Sequence, residues 1–529
     1  MSLDKSEHIV ALSLVSHTNV GKTTLARTLL QRDIGEVRDE AHVTLEAERH
    51  TLIEAAGGER LELWDTPGFG DSVRLAKRLA QSGNPIGWFL GEVWDRFRDR
   101  AFWSAQRAVR NVLEEADVVL YLVNASEAPE DAGYLDAELQ VLDLIGKPTV
   151  VLLNQLGPPQ RPGEEALEVR RWRERAGGAA CVREVLALDA FARCWVQEGR
   201  LLDAVAAALP LERQARFAPL REAWRARGEA TWQAAMDVLA ERLARAALDR
   251  EPVRESGWSG KLKEAGAALG LRREGSATPR ELAMRALAER LDADIRRSTD
   301  QLIRLHGLDG HATDVVLTRL AEHYAVHQPL SEGKAAVWGG VLTGALAGLK
   351  ADIASAGMTL GGGLLAGGVL GALGAAGLAR GVNLLRGDTP SLAWSDAVLD
   401  ELARSALLGY LAVAHYGRGR GEWAAAEHPD FWADGVSAVL EPHTEALHAL
   451  WAERSAAGPA ASAASPATAA APLRKALRAL LTEASAELLA RLYPQAPALD
   501  VEGPALDSAP DVHRLYIPEP DRPPRSTNP

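Results

Sequence analysis

The chain has 529 residues, 25% of them charged, with a net charge of −13 and two cysteines. That length divides into several folded units, since domains typically run to about 100–200 residues. The acidic balance and the lack of a Lys/Arg block speak against a nucleic-acid-binding body, which needs clustered cations to displace phosphate counterions, and Cys181 and Cys194 alone build no disulfide framework, which points to a reducing compartment.

The opening residues, MSLDKSEHIVALSLV, carry no small-residue cleavage site, so no signal peptide is expected. Up to about residue 210 apolar runs alternate with helical patterns, which predicts an α/β domain with a mostly parallel sheet and crossover helices. Strands are predicted at 9–15, 50–55, 60–64, 118–124, 149–153 and 181–186, and helices at 22–32, 101–115, 133–145 and 200–208. Residues 211–333 read as a helical domain, with REGSATPREL (273–282) as a loop and helix start.

Residues 334–386 differ in kind. AAVWGGVLTGALAGL is uncharged, KAD interrupts, and IASAGMTLGGGLLAGGVLGALGAAGLA runs uncharged to Arg380, which predicts an apolar helical hairpin. As a helix, 335–349 would span about 22 Å, short of the roughly 30 Å hydrocarbon core, whereas 358–379 is long enough to cross. Gly340, Gly344 and Gly348, then Gly363, Gly367 and Gly371, recur every four residues and allow close helix packing in lipid. In water each would cost about 0.8–1 kcal/mol relative to alanine. Membrane insertion of 335–379 is the favoured reading, with Trp338 and Trp394 as interfacial aromatics; a hairpin buried among the helical domains is the alternative. Helical patterns resume over 387–454. SAAGPAASAASPATAAAP (455–472) reads as a flexible linker, 473–494 as an amphipathic helix and 495–529 as a Pro-rich, disordered tail.

The chemistry is concentrated near the N-terminus. SHTNVGKTT (16–24) stands between a predicted strand and a predicted helix, where backbone N–H groups converge on phosphate oxygens and the helix dipole favours their charge. There Lys22 would reach the β- and γ-phosphates and the Thr23 hydroxyl would ligate Mg2+. His17, Thr18, Asn19, Val20, Gly21 and Thr24 would complete the cradle. Ser16 stands where such loops open with glycine, and its Cβ narrows the conformations available. RLELWDTPGFGDS (60–72) puts Asp65 at a strand end, to hold Mg2+ through water, and Gly68 beyond it, to sense the γ-phosphate. Alone, either motif reads as a helix start or an ordinary turn. Together and in this context they point to nucleotide binding.

On NVGKTT and DTPG, the region 8–210 resembles the translation-factor-class GTPases of the Era and TrmE kind. The whole chain resembles a bacterial family in which such a domain precedes a helical region with a glycine-rich membrane hairpin. The resemblance implies a membrane-attached GTPase at the cytoplasmic face of the bacterial inner membrane, binding GTP with Mg2+ and helped by K+, a protein partner or dimerisation. It also implies that Asn19 coordinates K+ beside the phosphates; the residues alone equally fit an asparagine that tolerates a tight turn. Thr44, with Thr51 as rival, is the implied switch threonine, ligating Mg2+ and joining Lys22 and Asn19 in catalysis.

Phe69 stands where Ras-like GTPases place a water-orienting glutamine, so unassisted hydrolysis is expected to be slow. The purine-reading Asn-Lys-x-Asp is here NQLG, which keeps Asn154 for a purine contact but has Gly157 in place of the carboxylate. LALDAF (186–191) is the candidate relic of the final loop, and selection between guanine and adenine stays open. The rival reading is a scaffold that keeps the fold without turnover. In the insert after Asp65, Phe89, Val93, Phe97 and Phe102 recur near helical spacing, as a stripe covering the sheet would, with a switch-coupled partner surface as the alternative.

Overall fold

The computed structural model describes residues 8–31, 47–79, 100–157, 159–190, 192–253, 279–308, 382–385, 391–416, 429–456, 466–499 and 501. They belong to two compact units, the first built mainly from residues up to Ala234, the second from residues 235–416 and 422–492.

The first unit holds a six-stranded sheet of order β2-β3-β1-β4-β5-β6. Its strands are β1 (Ile9–Ser16), β2 (Glu48–Glu54), β3 (Arg60–Asp65), β4 (Val118–Asn124), β5 (Thr149–Asn154) and β6 (Val182–Ala187). All neighbours run parallel except the β2–β3 pair. The helices are α1 (Lys22–Leu30), α2 (Ser72–Leu79), α3 (Arg100–Glu114), α4 (Leu135–Ile145), α5 (Pro162–Ala176) and α6 (Trp195–Ala208), and α7 (Leu211–Leu248) begins here.

The run TVVLLN of β5 is buried along its whole length, and VVLYLVN of β4 up to its last residue, as parallel strands covered on both faces are. On one face Leu12 and Leu14 meet Leu25 and Leu29 of α1, Leu201 and Val205 of α6, and Trp224 of α7. On the other, Tyr121 and Val151 meet Phe102 and Val109 of α3, Leu139 of α4 and Trp172 of α5. The predicted α/β domain is therefore present, and its parallel strands bring their C-terminal ends to one edge, where ligands bind in such sheets.

Differences from the predicted elements have local causes. Helix α5 has no predicted counterpart because its sequence is polar and buries only Trp172 and Ala176, which leaves little periodicity to read. Helix α6 starts at Trp195, earlier than the predicted 200. Phe102 packs on the sheet as a covering stripe would; Phe89, Val93 and Phe97 lie outside the described residues.

The second unit is mainly helical. Beyond Ala234 it takes the rest of α7, then α8 (Pro279–Leu305), α9 (Asp396–Ala414), α10 (Phe431–Leu440), α11 (Thr444–Ala456) and α12 (Pro466–Leu492). Pro279 opens α8, a position where a missing N–H costs nothing. A small antiparallel sheet joins β7 (Arg250–Pro252), β9 (Ser391–Trp394) and β8 (Val382–Leu385). Residues 391–394 are thus a strand where a helical pattern was expected, and Trp394 is 6% exposed, packed in protein rather than placed as an interfacial anchor. Helix α12 begins inside the segment read as a flexible linker. Its ATAAA run has high helix propensity and leads into Leu477, Leu481 and Leu488, whose burial anchors the helix.

Among the described residues no helix is long and apolar enough to cross a membrane. The apolar run 335–379, Thr44 and the tail from 502 lie outside the described residues.

Candidate nucleotide site

β1 ends at Ser16, fully buried, and α1 begins at Lys22. Between them Asn19 (φ 64°) and Gly21 (φ 90°) adopt left-handed backbone. Glycine does so without steric cost, and asparagine is among the few other residues that tolerate it, so Asn19 fits the turn. A Cβ on Gly21 would stand 2.8 Å from Asn154 Nδ2, which leaves room for glycine only.

The loop closes around Lys22. Its Nζ donates to Ser16 Oγ at 3.0 Å, so the serine in the glycine position supplies an acceptor for the ammonium. Burial pushes the Lys22 pKa down, while the charges of Asp65 and Glu138 push it up. Thr23 Oγ1 donates to Asp65 Oδ2 at 2.6 Å. Burial raises Asp65 to about 6, against the pull of Lys22 and the Thr23 hydrogen bond. Asp65 Oδ1 is buried without a hydrogen-bond partner. An all-oxygen pair with one unsatisfied carboxylate oxygen suits a hard divalent cation such as Mg2+, whose charge would return Asp65 to its ionised form.

The DTPG segment lies on this loop. Thr66 Oγ1 donates to Leu14 O at 2.6 Å, and Phe69 N to Ser16 O at 2.9 Å. His17 and Phe69 pair as a parallel bridge that prolongs the β1–β3 ladder past the strand ends. A Cβ on Gly68 would stand 3.2 Å from Lys22 Nζ and from Thr18 Cα, so Gly68 rests against the phosphate loop. Phe69 is fully buried and packs with Val15 and Leu75, which leaves it no part in orienting water.

At the far end of the loop Asn154 ties two loops together. It is fully buried; its Nδ2 donates to Val20 O at 2.6 Å and its Oδ1 accepts from Ala190 N at 2.8 Å. These two bonds strap the phosphate loop to the loop after β6. Asp189, in the same LALDAF stretch, accepts from Leu156 N at 2.6 Å and braces the two loops from the other side. Thr51 lies within β2 opposite Glu62, while Glu48 is the residue opposite Asp65. Three residues of strand put Thr51 about 10 Å from that level.

Two residues absent from the sequence reading belong to the site. Glu138 of α4 accepts from Tyr121 Oη at 2.6 Å and lies 2.7 Å from His17 Nδ1. The sequence signal was an acid on the apolar face of LDAELQVLDLI, between Leu135 and Leu142.

A strand, a phosphate loop opening a helix, and a carboxylate at the tip of the neighbouring parallel strand define a P-loop nucleotide-binding domain. Residues 11–155 match the family model described as 50S ribosome-binding GTPase, so the first unit contains a P-loop GTPase domain of that type. Among solved structures, the chain is similar to an Era variant of Aquifex aeolicus bound to GDP and AlF4− (16% identity, 38% of this chain and 57% of that one, TM-score 0.28). A second is Era in complex with MgGDPNP and a stretch of 16S ribosomal RNA (18% identity, 38% and 57%, TM-score 0.28). A third is an oligomerised bacterial dynamin pair (10% identity, 90% and 77%, TM-score 0.20). This chain spans 57% of the length of either Era chain. No curated protein matches.

Proposed function

We propose that the protein is a membrane-attached GTPase that binds GTP with Mg2+ and hydrolyses it slowly, at the cytoplasmic face of the bacterial inner membrane. The observation that carries the nucleotide half is the cluster of Lys22, Thr23, Asp65 and Gly68 around one loop. In this reading Lys22 leaves Ser16 for the β- and γ-phosphates, Thr23 and Asp65 hold Mg2+, the amides around Gly21 and Thr24 take the inner phosphates, and the Gly68 N–H meets the γ-phosphate. Mg2+, when bound, neutralises charge on the β- and γ-oxygens. Turnover is slow because the residue after Gly68 is a buried phenylalanine. Stimulation by K+ at Asn19, by a partner or by dimerisation belongs to the same reading, and attachment rests on the two uncharged runs and the glycine spacing within 335–379.

The test is uptake of a fluorescent GTP analogue with Mg2+, competed with GDP and ATP, then phosphate release in K+ and in Na+. Binding is expected in the intact chain and lost in Lys22→Ala; retained binding in that variant removes the assigned site. Binding without phosphate release would favour the scaffold reading.

A further inference from the structure

Behind the phosphate loop Tyr121 and Glu138 form a polar chain with His17 of the loop itself, and the Glu138 charge also acts on Lys22. Glu138 has no exposed surface, and its neighbours on α4, Leu135, Leu139 and Leu142, belong to the core between helices and sheet. A carboxylate left alone there would be strongly destabilising. Two partners prevent this. Tyr121 Oη, on β4, donates to Oε2 at 2.6 Å, and His17 Nδ1 stands 2.7 Å from Oε1. Burial and Glu138 push the Tyr121 phenol well above its ordinary range, so Tyr121 stays a donor. Since a carboxylate accepts, the His17 ring carries its proton on Nδ1. That ring also stacks on Tyr134, with centroids 4.6 Å apart and planes 16° off parallel, so it is held by an edge and a face.

His17 belongs to the phosphate loop, and its position there decides what the clasp controls. On one side is Ser16, whose carbonyl takes Phe69 N and whose hydroxyl takes Lys22 Nζ. On the other is Thr18, against which Gly68 rests. The clasp therefore holds the entry half of the loop, which meets the DTPG segment. The exit half is held separately, by Asn154 on Val20 O. In the GTP-binding reading the inner phosphates would lie toward that exit half and the start of α1, and the γ-phosphate toward the entry half and Gly68.

We infer that Glu138 and Tyr121, acting through His17, are positioning residues for the γ-phosphate side of the site, and that they set its preference for a nucleoside triphosphate over a diphosphate. This rests on the GTP-binding reading above. A residue serving only the stability of the loop would weaken both nucleotides alike. Loss of this clasp frees only the entry half and weakens the triphosphate selectively.

The experiment measures GDP and a non-hydrolysable GTP analogue, each with Mg2+, on the full chain and on His17→Ala, Glu138→Leu and the double variant. A hydrogen bond to a charged group corresponds to about tenfold in affinity. Each single variant is expected to lose about that much for the analogue with little change for GDP, and the double variant to lose no more than either. Equal losses for both nucleotides, or additive losses in the double variant, would overturn the inference. Tyr121→Phe removes one hydroxyl from an otherwise intact core, so it covers the case in which Glu138→Leu fails to fold; it should shift the same ratio in the same direction, and an unchanged ratio counts against the clasp. An intact chain that takes up neither nucleotide would overturn the GTP reading and this inference together.

Discussion

At the scale of single residues, the domain relies on buried charges whose partners come from distant parts of the chain. Lys22 and Asp65 are one case. Arg193 and Glu198, 7% and 2% exposed, are neighbours in sequence and ion-paired to each other, and their further partners are distant. Arg193 also donates to Thr28 O near the end of α1, and Glu198 accepts from Trp224 Nε1 at 3.1 Å. Removing one member of such a pair strands the other charge, at a cost of about 3–5 kcal/mol, whereas replacing both by apolar residues of similar volume is often close to neutral. Glu198→Ala should therefore lower unfolding stability by about that amount, and Arg193→Met with Glu198→Leu by much less. Urea denaturation of the three proteins checks this; a double variant as unstable as the single one would contradict it.

At the scale of elements, two helices carry conflicts that decide their response to change. Glu165 lies in the first turn of α5, where the dipole favours a charged carboxylate by about 0.3–1 kcal/mol. Burial nonetheless pushes it up to about 7. Its pKa is higher folded than unfolded, so the folded state binds the proton more tightly and stability falls as pH rises from the unfolded value of 4.5 through about 7. Glu165→Gln should raise the Tm at pH 8 and leave it nearly unchanged at pH 4, as read from thermal melts at the two values.

Gly228, within α7, faces the Trp195 ring so closely that a Cβ would stand 2.5 Å from it. Alanine would gain about 0.8–1 kcal/mol of helix propensity but would force overpacking that costs about 1–3 kcal/mol. A net loss of stability is expected for Gly228→Ala in chemical denaturation, and a more stable variant would show that Trp195 moves aside freely.

For the whole molecule, the proposal joins a nucleotide domain to an apolar segment, and its membrane half has its own test. Carbonate-washed membranes from expressing cells should retain the full chain and release a variant lacking 335–379. Recovery of the full chain wholly in the soluble fraction would reject integral attachment without touching the nucleotide site.

The amino-acid sequence by itself determined the α/β class, the six strands of the first unit to within a residue or two, and the strand–loop–helix of 9–30, because each is written in a short window: an apolar run, a strand–loop–helix motif, a strand closed by Asp-Thr-Pro-Gly. Only the tertiary structure decided the partners. Strand order places β4 beside β1, which brings Tyr121 and Glu138 to His17. The strap from Asn154 to Val20 and Ala190, the acceptor that Ser16 offers Lys22, and the strand at 391–394 depend likewise on neighbours remote in the chain. A buried polar group takes whichever partner folding brings to it, and periodicity along one segment carries no record of what packs across from it.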